Sequence, residues 1–111
     1  MATISSHLLN SVDGTHANGV KVTIYQINSF GELKIFFETE TDEGGRFLSD
    51  FELSNNDCVC EYEMVCKTAD YFSEKKVVSE IIIKFKNEDP KNKYHLPIII
   101  SRYVYSIWWS N

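Results

Sequence analysis

The strongest constraint in this sequence is apolar residues at every second position, in separate short runs. In "VKVTIYQI", Val20, Val22 and Ile24 alternate with Lys21, Thr23 and Tyr25. In "LKIFFETE", Leu33, Ile35 and Phe37 alternate with Lys34, Phe36 and Glu38. In "CVCEYEMVC", Cys58, Cys60, Tyr62, Met64 and Cys66 share one parity, and Glu61 and Glu63 the other. In "VSEIIIKFK", Ile81, Ile83 and Phe85 oppose Glu80, Ile82 and Lys84. A period of two places alternate side chains on opposite faces, the mark of half-buried antiparallel strands.

Turn-forming stretches separate the runs: "DGTHANG", "NSFGE", "TDEGG", "SNND" and "NEDPKN". Their spacing fits a β-sandwich of short strands. Strands are expected at 4–10, 20–27, 32–39, 46–50, 58–66, 77–86, 94–100 and 103–109. One short helix fits "TADYFSEKK", with Thr68 as N-cap and Asp70 in the first turn. The expectation is a single domain over residues 1–111, which is within the usual size of one.

Composition narrows the function. Aromatic residues make up 14% of the chain, enough for a dense core, an interface or both. The formal charge is −5 and no basic cluster occurs, which argues against nucleic acid as a partner. The apolar runs are far too short for a membrane-spanning helix, and "MATISSHLLNSV" lacks the basic start and long apolar run of a signal peptide. The expected location is the cytoplasm, with no membrane partner.

All three cysteines lie in "CVCEYEMVC". A secreted disulfide scaffold would show an even, dispersed set. Shared parity predicts three small buried side chains on the inward face of one strand. A Cys-x-Cys without a second pair does not define a metal site, so none is expected.

Three histidines remain: His7 in "SSHLLN", His16 in the "DGTHANG" turn and His95 in "HLPIII". His16 reads as a solvated turn residue. His7 and His95 open apolar strands, where side chains from different strands can converge. Arg46 follows the "TDEGG" turn; if its guanidinium reached the histidines, it could hold a developing oxyanion. No nucleophile elbow, phosphate loop, dinucleotide fingerprint or zinc-protease motif occurs.

Four stretches, in order, resemble the transthyretin-related family on its 5-hydroxyisourate hydrolase branch. "ISSHLLNSVDGTHANGVKVTIY" resembles an opening Ser-Thr-His-Val-Leu-Asp with its Gly-rich turn and strand. "TETDEGGRF" resembles Thr-Asp-x-x-Gly-Arg. "YEMVCKTADYFSE" resembles the strand leading to the family's short helix. "IIIKFKNEDPKNKYHLPIIISRYVYSIWWSN" resembles an ending with His-Val-Pro and a terminal Tyr-Arg-Gly-Ser.

The resemblance implies an all-β, eight-stranded antiparallel sandwich with one short helix. It implies a homotetramer, a dimer of dimers, with active sites in the channel between the dimers. It places catalytic roles on His7, Arg46 and His95. By the family's geometry, Leu9, Pro97, Ile99, Ser106 and Trp108 also face the channel, and Trp109 and Asn111 stand in the substrate-binding tail. The implied chemistry is hydrolysis of a cyclic amide in an oxidised purine, on the route from urate toward allantoin, with a small-molecule substrate and no cofactor. Transthyretin itself, a hormone carrier, lacks the two histidines and the arginine.

The departures cluster near the tail. Trp108, Trp109, Ser110 and Asn111 replace Tyr-Arg-Gly-Ser, so the tail reads as replaced and not truncated. Arg102 and Val104 stand where the family has Pro and Gly, and Asn10 where it has Asp. They leave two alternatives open: the same site turned to another planar heterocyclic or aromatic substrate, or a non-catalytic small-molecule binder.

Overall fold

A computed structural model describes residues 2–69, 71, 79–86, 88–89, 91, 93–101 and 105–107. Among the described residues there are eight strands: β1 (Ala2–Asn10), β2 (Lys21–Ile27), β3 (Leu33–Glu40), β4 (Arg46–Phe51), β5 (Glu61–Lys67), β6 (Ile81–Lys86), β7 (Lys93–Ile100) and β8 (Tyr105–Ile107). They form two four-stranded sheets, β4-β1-β7-β8 and β3-β2-β5-β6. We refer to these as the first and second sheets.

The expected alternation builds the core. Ile4 and Leu8 of β1, with Leu96, Ile98 and Ile100 of β7, face Val22, Ile24, Tyr62, Met64 and Ile81 from the other sheet. Fully burying an aliphatic side chain of this size is worth about 1.5–3 kcal/mol. Ser6, buried within the layer, is paired: its Oγ donates to the Leu96 carbonyl at 2.6 Å. No helix among the described residues is long and apolar enough to cross a membrane.

Pairing is antiparallel except between β1 and β7, which run parallel with Ser5 opposite His95 and His7 opposite Pro97. A parallel pair requires a crossover connection. Here the second sheet's β2, β3, β5 and β6 intervene in sequence between the two strands, with β4 joining the first sheet on β1's other side.

Three local expectations are corrected. Leu33, Ile35 and Phe37 do not share a face. The register shifts so that Ile24 opposes Phe37 and Tyr25 opposes Ile35, leaving Phe36 as the extra residue of a bulge. The bulge inverts the parity, so Leu33 and Ile35 are more than half exposed, at 55% and 53%. Phe36 and Phe37 both pack against the core.

The second correction is "SNND", which forms a one-turn helix α1 (Asn55–Cys58) and not an open turn. Ser54 Oγ accepts from the Asp57 amide at 3.2 Å, and the Asp57 carboxylate accepts from the Ser54 amide at 2.9 Å. This reciprocal capping satisfies two helix-end donors.

The third follows from that helix. β5 begins at Glu61, so Cys58 ends α1 and Cys60 lies in the bend between, where its Sγ donates to the Asn56 carbonyl at 3.2 Å. Only Cys66 is buried, and burial pushes its thiol up to about 12; all three cysteines are free. The helix expected over 68–76 falls largely outside the described residues, as do the ends of the strand expected over 103–109.

Candidate active site

The outer face of the first sheet collects the histidine and arginine side chains from three adjacent strands. In β1 the even positions Ile4, Ser6 and Leu8 are buried, so Ser5, His7 and Leu9 point away from the core. His7 lies opposite Arg46 on β4 and opposite Pro97 on β7. Ser5 lies opposite His95, and Leu9 opposite Ile99, which in turn opposes Ser106 on β8. Directly opposed residues on one face hold their Cβ atoms roughly 4.5–5.5 Å apart. His7, Leu9, Arg46, His95, Pro97, Ile99 and Ser106 therefore share one face. Neither histidine opens its strand: both lie within, His7 well along β1 and His95 two residues after the start of β7. Trp108, Trp109 and Asn111 lie outside the described residues.

The "TDEGG" turn sets Arg46 in place. One carboxylate oxygen of Asp42 accepts from the amides of Gly44 and Arg46, at 2.9 and 3.0 Å. The Asp42 amide donates to the Arg46 carbonyl at 2.9 Å, and the Gly45 amide to the Asp42 carbonyl at 2.9 Å. Thr41 is buried beneath; its hydroxyl donates to the Ala17 carbonyl at 2.6 Å and accepts from the Val20 amide at 2.9 Å. Arg46 thus begins β4 from a braced turn, with its side chain exposed.

Sequence reasoning missed two residues on this face. Ser5 Oγ is 2.8 Å from Nδ1 of His95. This hydrogen bond fixes the orientation of the imidazole and leaves Nε2 available for chemistry. His16 was read as a solvated turn residue, yet its Nδ1 lies 2.9 Å from Nε2 of His7. The two rings stack, with centroids 5.0 Å apart and planes 27° apart.

His7 is held below its ordinary value of 6.5, first by burial and then by the charges of Arg46, His16 and His95. A backbone hydrogen bond to Gly44 acts in the opposite direction. A neutral imidazole near neutral pH can accept a proton, and a fixed guanidinium beside it can hold an oxyanion. Among the described residues, no group of three or more histidine, cysteine or acidic side chains is placed to hold a metal ion. A cleft on the second sheet, lined by Lys21, Thr23, Glu38, Glu40 and Lys67, lies on other strands and includes neither histidine nor Arg46.

Comparison with known proteins agrees with this architecture. The HIUase/transthyretin family matches residues 4–109. The 5-hydroxyisourate hydrolase of Pseudomonas aeruginosa is 24% identical over 115 residues, covering 97% of this chain and 90% of that protein. The 5-hydroxyisourate hydrolase of Salmonella typhimurium is 29% identical over 108 residues, covering 95% and 78%. Among solved structures, Klebsiella pneumoniae 5-hydroxyisourate hydrolase superposes with a TM-score of 0.82 at 24% identity, over the full length of both chains. An (S)-allantoin synthase superposes with a TM-score of 0.81 at 19% identity, over 99% of this chain and 44% of that one. At these identities the structural matches establish the fold.

Proposed function

The chain belongs to the HIUase/transthyretin family, and from that premise we propose that it is a cyclic-amide hydrolase acting on 5-hydroxyisourate. The observation that carries this reading is the shared outer face of β1, β4 and β7, which bears His7, Arg46 and His95 on adjacent strands. Water attacks the ring carbonyl. One of the two histidines accepts its proton as general base, a contribution of roughly 10²- to 10⁴-fold. Arg46 stabilises the oxygen that gains negative charge. The ring nitrogen leaves with the proton the base took from water, and the ring-opened carboxylic acid releases its remaining proton to solvent to give the carboxylate. Leu9, Pro97, Ile99 and Ser106 form the floor beside these groups.

The proposed assembly is a homotetramer in which this face is covered by its counterpart. Leu48 lies opposite Ser5 and is 66% exposed in the single chain; Leu9, Pro97 and Ile99 lie on the same face, farther along β1 and β7. Light scattering at micromolar concentration tests this; a monomer contradicts it. The proposed location is the cytoplasm.

A second reading rests on the residues Trp108–Trp109–Ser110–Asn111. They supply flat apolar surface and an indole N–H where the family has a tyrosine and a cation. That exchange favours a less anionic planar heterocycle at the same histidine–arginine site. Adding freshly generated 5-hydroxyisourate and following its ultraviolet absorbance, against a protein-free control, separates the two readings. Fast loss supports the first; slow loss with faster turnover of another planar cyclic amide supports the second.

A further inference from the structure

β4 pairs with β1 only as far as His7 opposite Arg46. Beyond that point, the chain leaving β1 folds back and takes over the vacated edge. The Leu8 amide donates to the Gly45 carbonyl at 2.8 Å, the Ala17 amide donates to the Leu8 carbonyl at 2.9 Å, and His16 forms an isolated antiparallel bridge with Leu9. Because Leu9 points to the outer face, the residue opposite it does too. The loop therefore delivers His16 to the face that carries His7.

The loop is held by its own bonds. Asp13 accepts from both the amide and the hydroxyl of Thr15, at 3.0 and 2.6 Å. The Asn10 amide donates to the Thr15 carbonyl and the Gly14 amide to the Asn10 carbonyl, both at 2.8 Å. Ala17, the next residue, is fully buried. Gly45 backs the loop so closely that a Cβ there would lie 3.2 Å from Cβ of His16. The 2.9 Å ring contact is thus set by a braced loop.

We propose that His16 is a positioning residue for His7, joined to it by an N–H···N bond so that the two imidazoles work as one proton acceptor. The inference rests on the hydrolase reading for its catalytic consequence, while the pairing itself does not. Two neutral imidazoles joined Nε2 to Nδ1 hold one proton between them. A proton taken from the attacking water arrives at the outer nitrogen of one ring. The proton between the rings shifts toward the other ring, and the positive charge is spread over both. When the ring nitrogen of the substrate leaves, the pair returns one proton to it and regains its starting state. A second proton is strongly disfavoured, because the rings would become like charges in contact. The other titratable or charged groups facing His7 are Arg46 on β4 and His95 on β7, and both oppose that second proton.

The test uses the full chain and two readouts. In ¹⁵N-resolved NMR of the unaltered protein, the His7 ring nitrogens should titrate in two linked steps. In His16→Asn, which keeps a polar group near the Nδ1 position but accepts no proton, His7 should titrate in a single step. With 5-hydroxyisourate, the same variant should lose on the order of tenfold in kcat, less than removal of the base itself. KM should stay near that of the unaltered protein, and the acid limb of the pH–rate profile should move. Independent single-step titration of His7 in both proteins overturns the pairing, as does an unchanged pH–rate profile in His16→Asn. If the unaltered protein does not turn over 5-hydroxyisourate, the hydrolase reading fails, and the NMR titration alone decides the pair: linked steps support it, independent steps overturn it.

Discussion

Ser5 and His95 face each other across the parallel β1–β7 pair, with Ser5 Oγ 2.8 Å from Nδ1 of His95. The bond is only part-buried, so its loss should cost little stability but leave the imidazole free to turn. Ser5→Ala should lower stability by about 0.5–1.5 kcal/mol. It should lower kcat on the order of tenfold, the rate equivalent of about 1.4 kcal/mol. Ser5→Thr, which restores the hydroxyl, should recover most of the rate. Equal activity in the alanine variant would show that His95 needs no partner there.

Gly45 joins the site to the fold. Its φ is +70°, and a Cβ would lie 2.5 Å from the Leu8 carbonyl oxygen and 3.0 Å from the Ala17 nitrogen. Both atoms belong to backbone that cannot swing aside as a side chain does. Gly45→Ala should destabilise the protein by about 1–3 kcal/mol and should also displace His16 and Arg46. Urea unfolding and kcat should both respond. Gly31, with a φ of +80° but open space around it, is the control: Gly31→Ala should affect stability alone.

The pH dependence follows from His7. Its value in the folded protein lies below the 6.5 expected in the unfolded chain, chiefly through burial and Arg46. Between those two values the unfolded chain binds more protons than the native one, so stability increases with pH across that window. Acidification below about 6.5 should therefore cost stability. His7→Gln should remove that part of the slope in melting temperature measured from pH 5 to 7.5. If His7 is the base, activity should persist below pH 6.5, because its lowered value keeps the imidazole neutral there. A slope unchanged in the variant would contradict this.

The tail bears on substrate choice. If binding in the family depends on a tail arginine, its absence forfeits a charge-assisted hydrogen bond, worth roughly 1.5–3 kcal/mol or about 10- to 150-fold in kcat/KM. Trp108→Tyr, Trp109→Arg, Ser110→Gly and Asn111→Ser, made together, should raise kcat/KM on 5-hydroxyisourate by a factor in that range. No gain would show that the tail matters less than its family pattern suggests.

The strands were legible in the sequence because each buries one face, which leaves alternation as its trace. Val20–Val22–Ile24 and Tyr62–Met64–Cys66 kept their expected faces. Phe36 broke the rule in β3 because a bulge depends on the partner strand, which local alternation does not encode. "SNND" was read as a turn, because a single helical turn is too short to leave a periodic apolar trace, and its Ser54–Asp57 capping became evident only in the structure. His7, Arg46 and His95 were singled out by their places in the sequence, the family resemblance implied their roles, and the register puts them on one face. His16 was missed for a physical reason: its partner is set by a loop folding back onto the β1 edge, and nothing in "DGTHANG" specifies that edge. Ser5 carried a weak signal, since it shares parity with His7, but its pairing with His95 depends on a parallel register between strands 90 positions apart.

The most direct test is the rate of 5-hydroxyisourate loss, followed by ultraviolet absorbance, for the unaltered protein beside His7→Ala, Arg46→Ala and His95→Ala, with each variant's fold checked by circular dichroism. The expected result is catalysis above the protein-free control by the unaltered chain, and a fall of roughly 10²-fold or more in each folded variant. Loss of 5-hydroxyisourate at the control rate in the unaltered protein, or undiminished rates in the three variants, would contradict a catalytic site on the outer face of β1, β4 and β7.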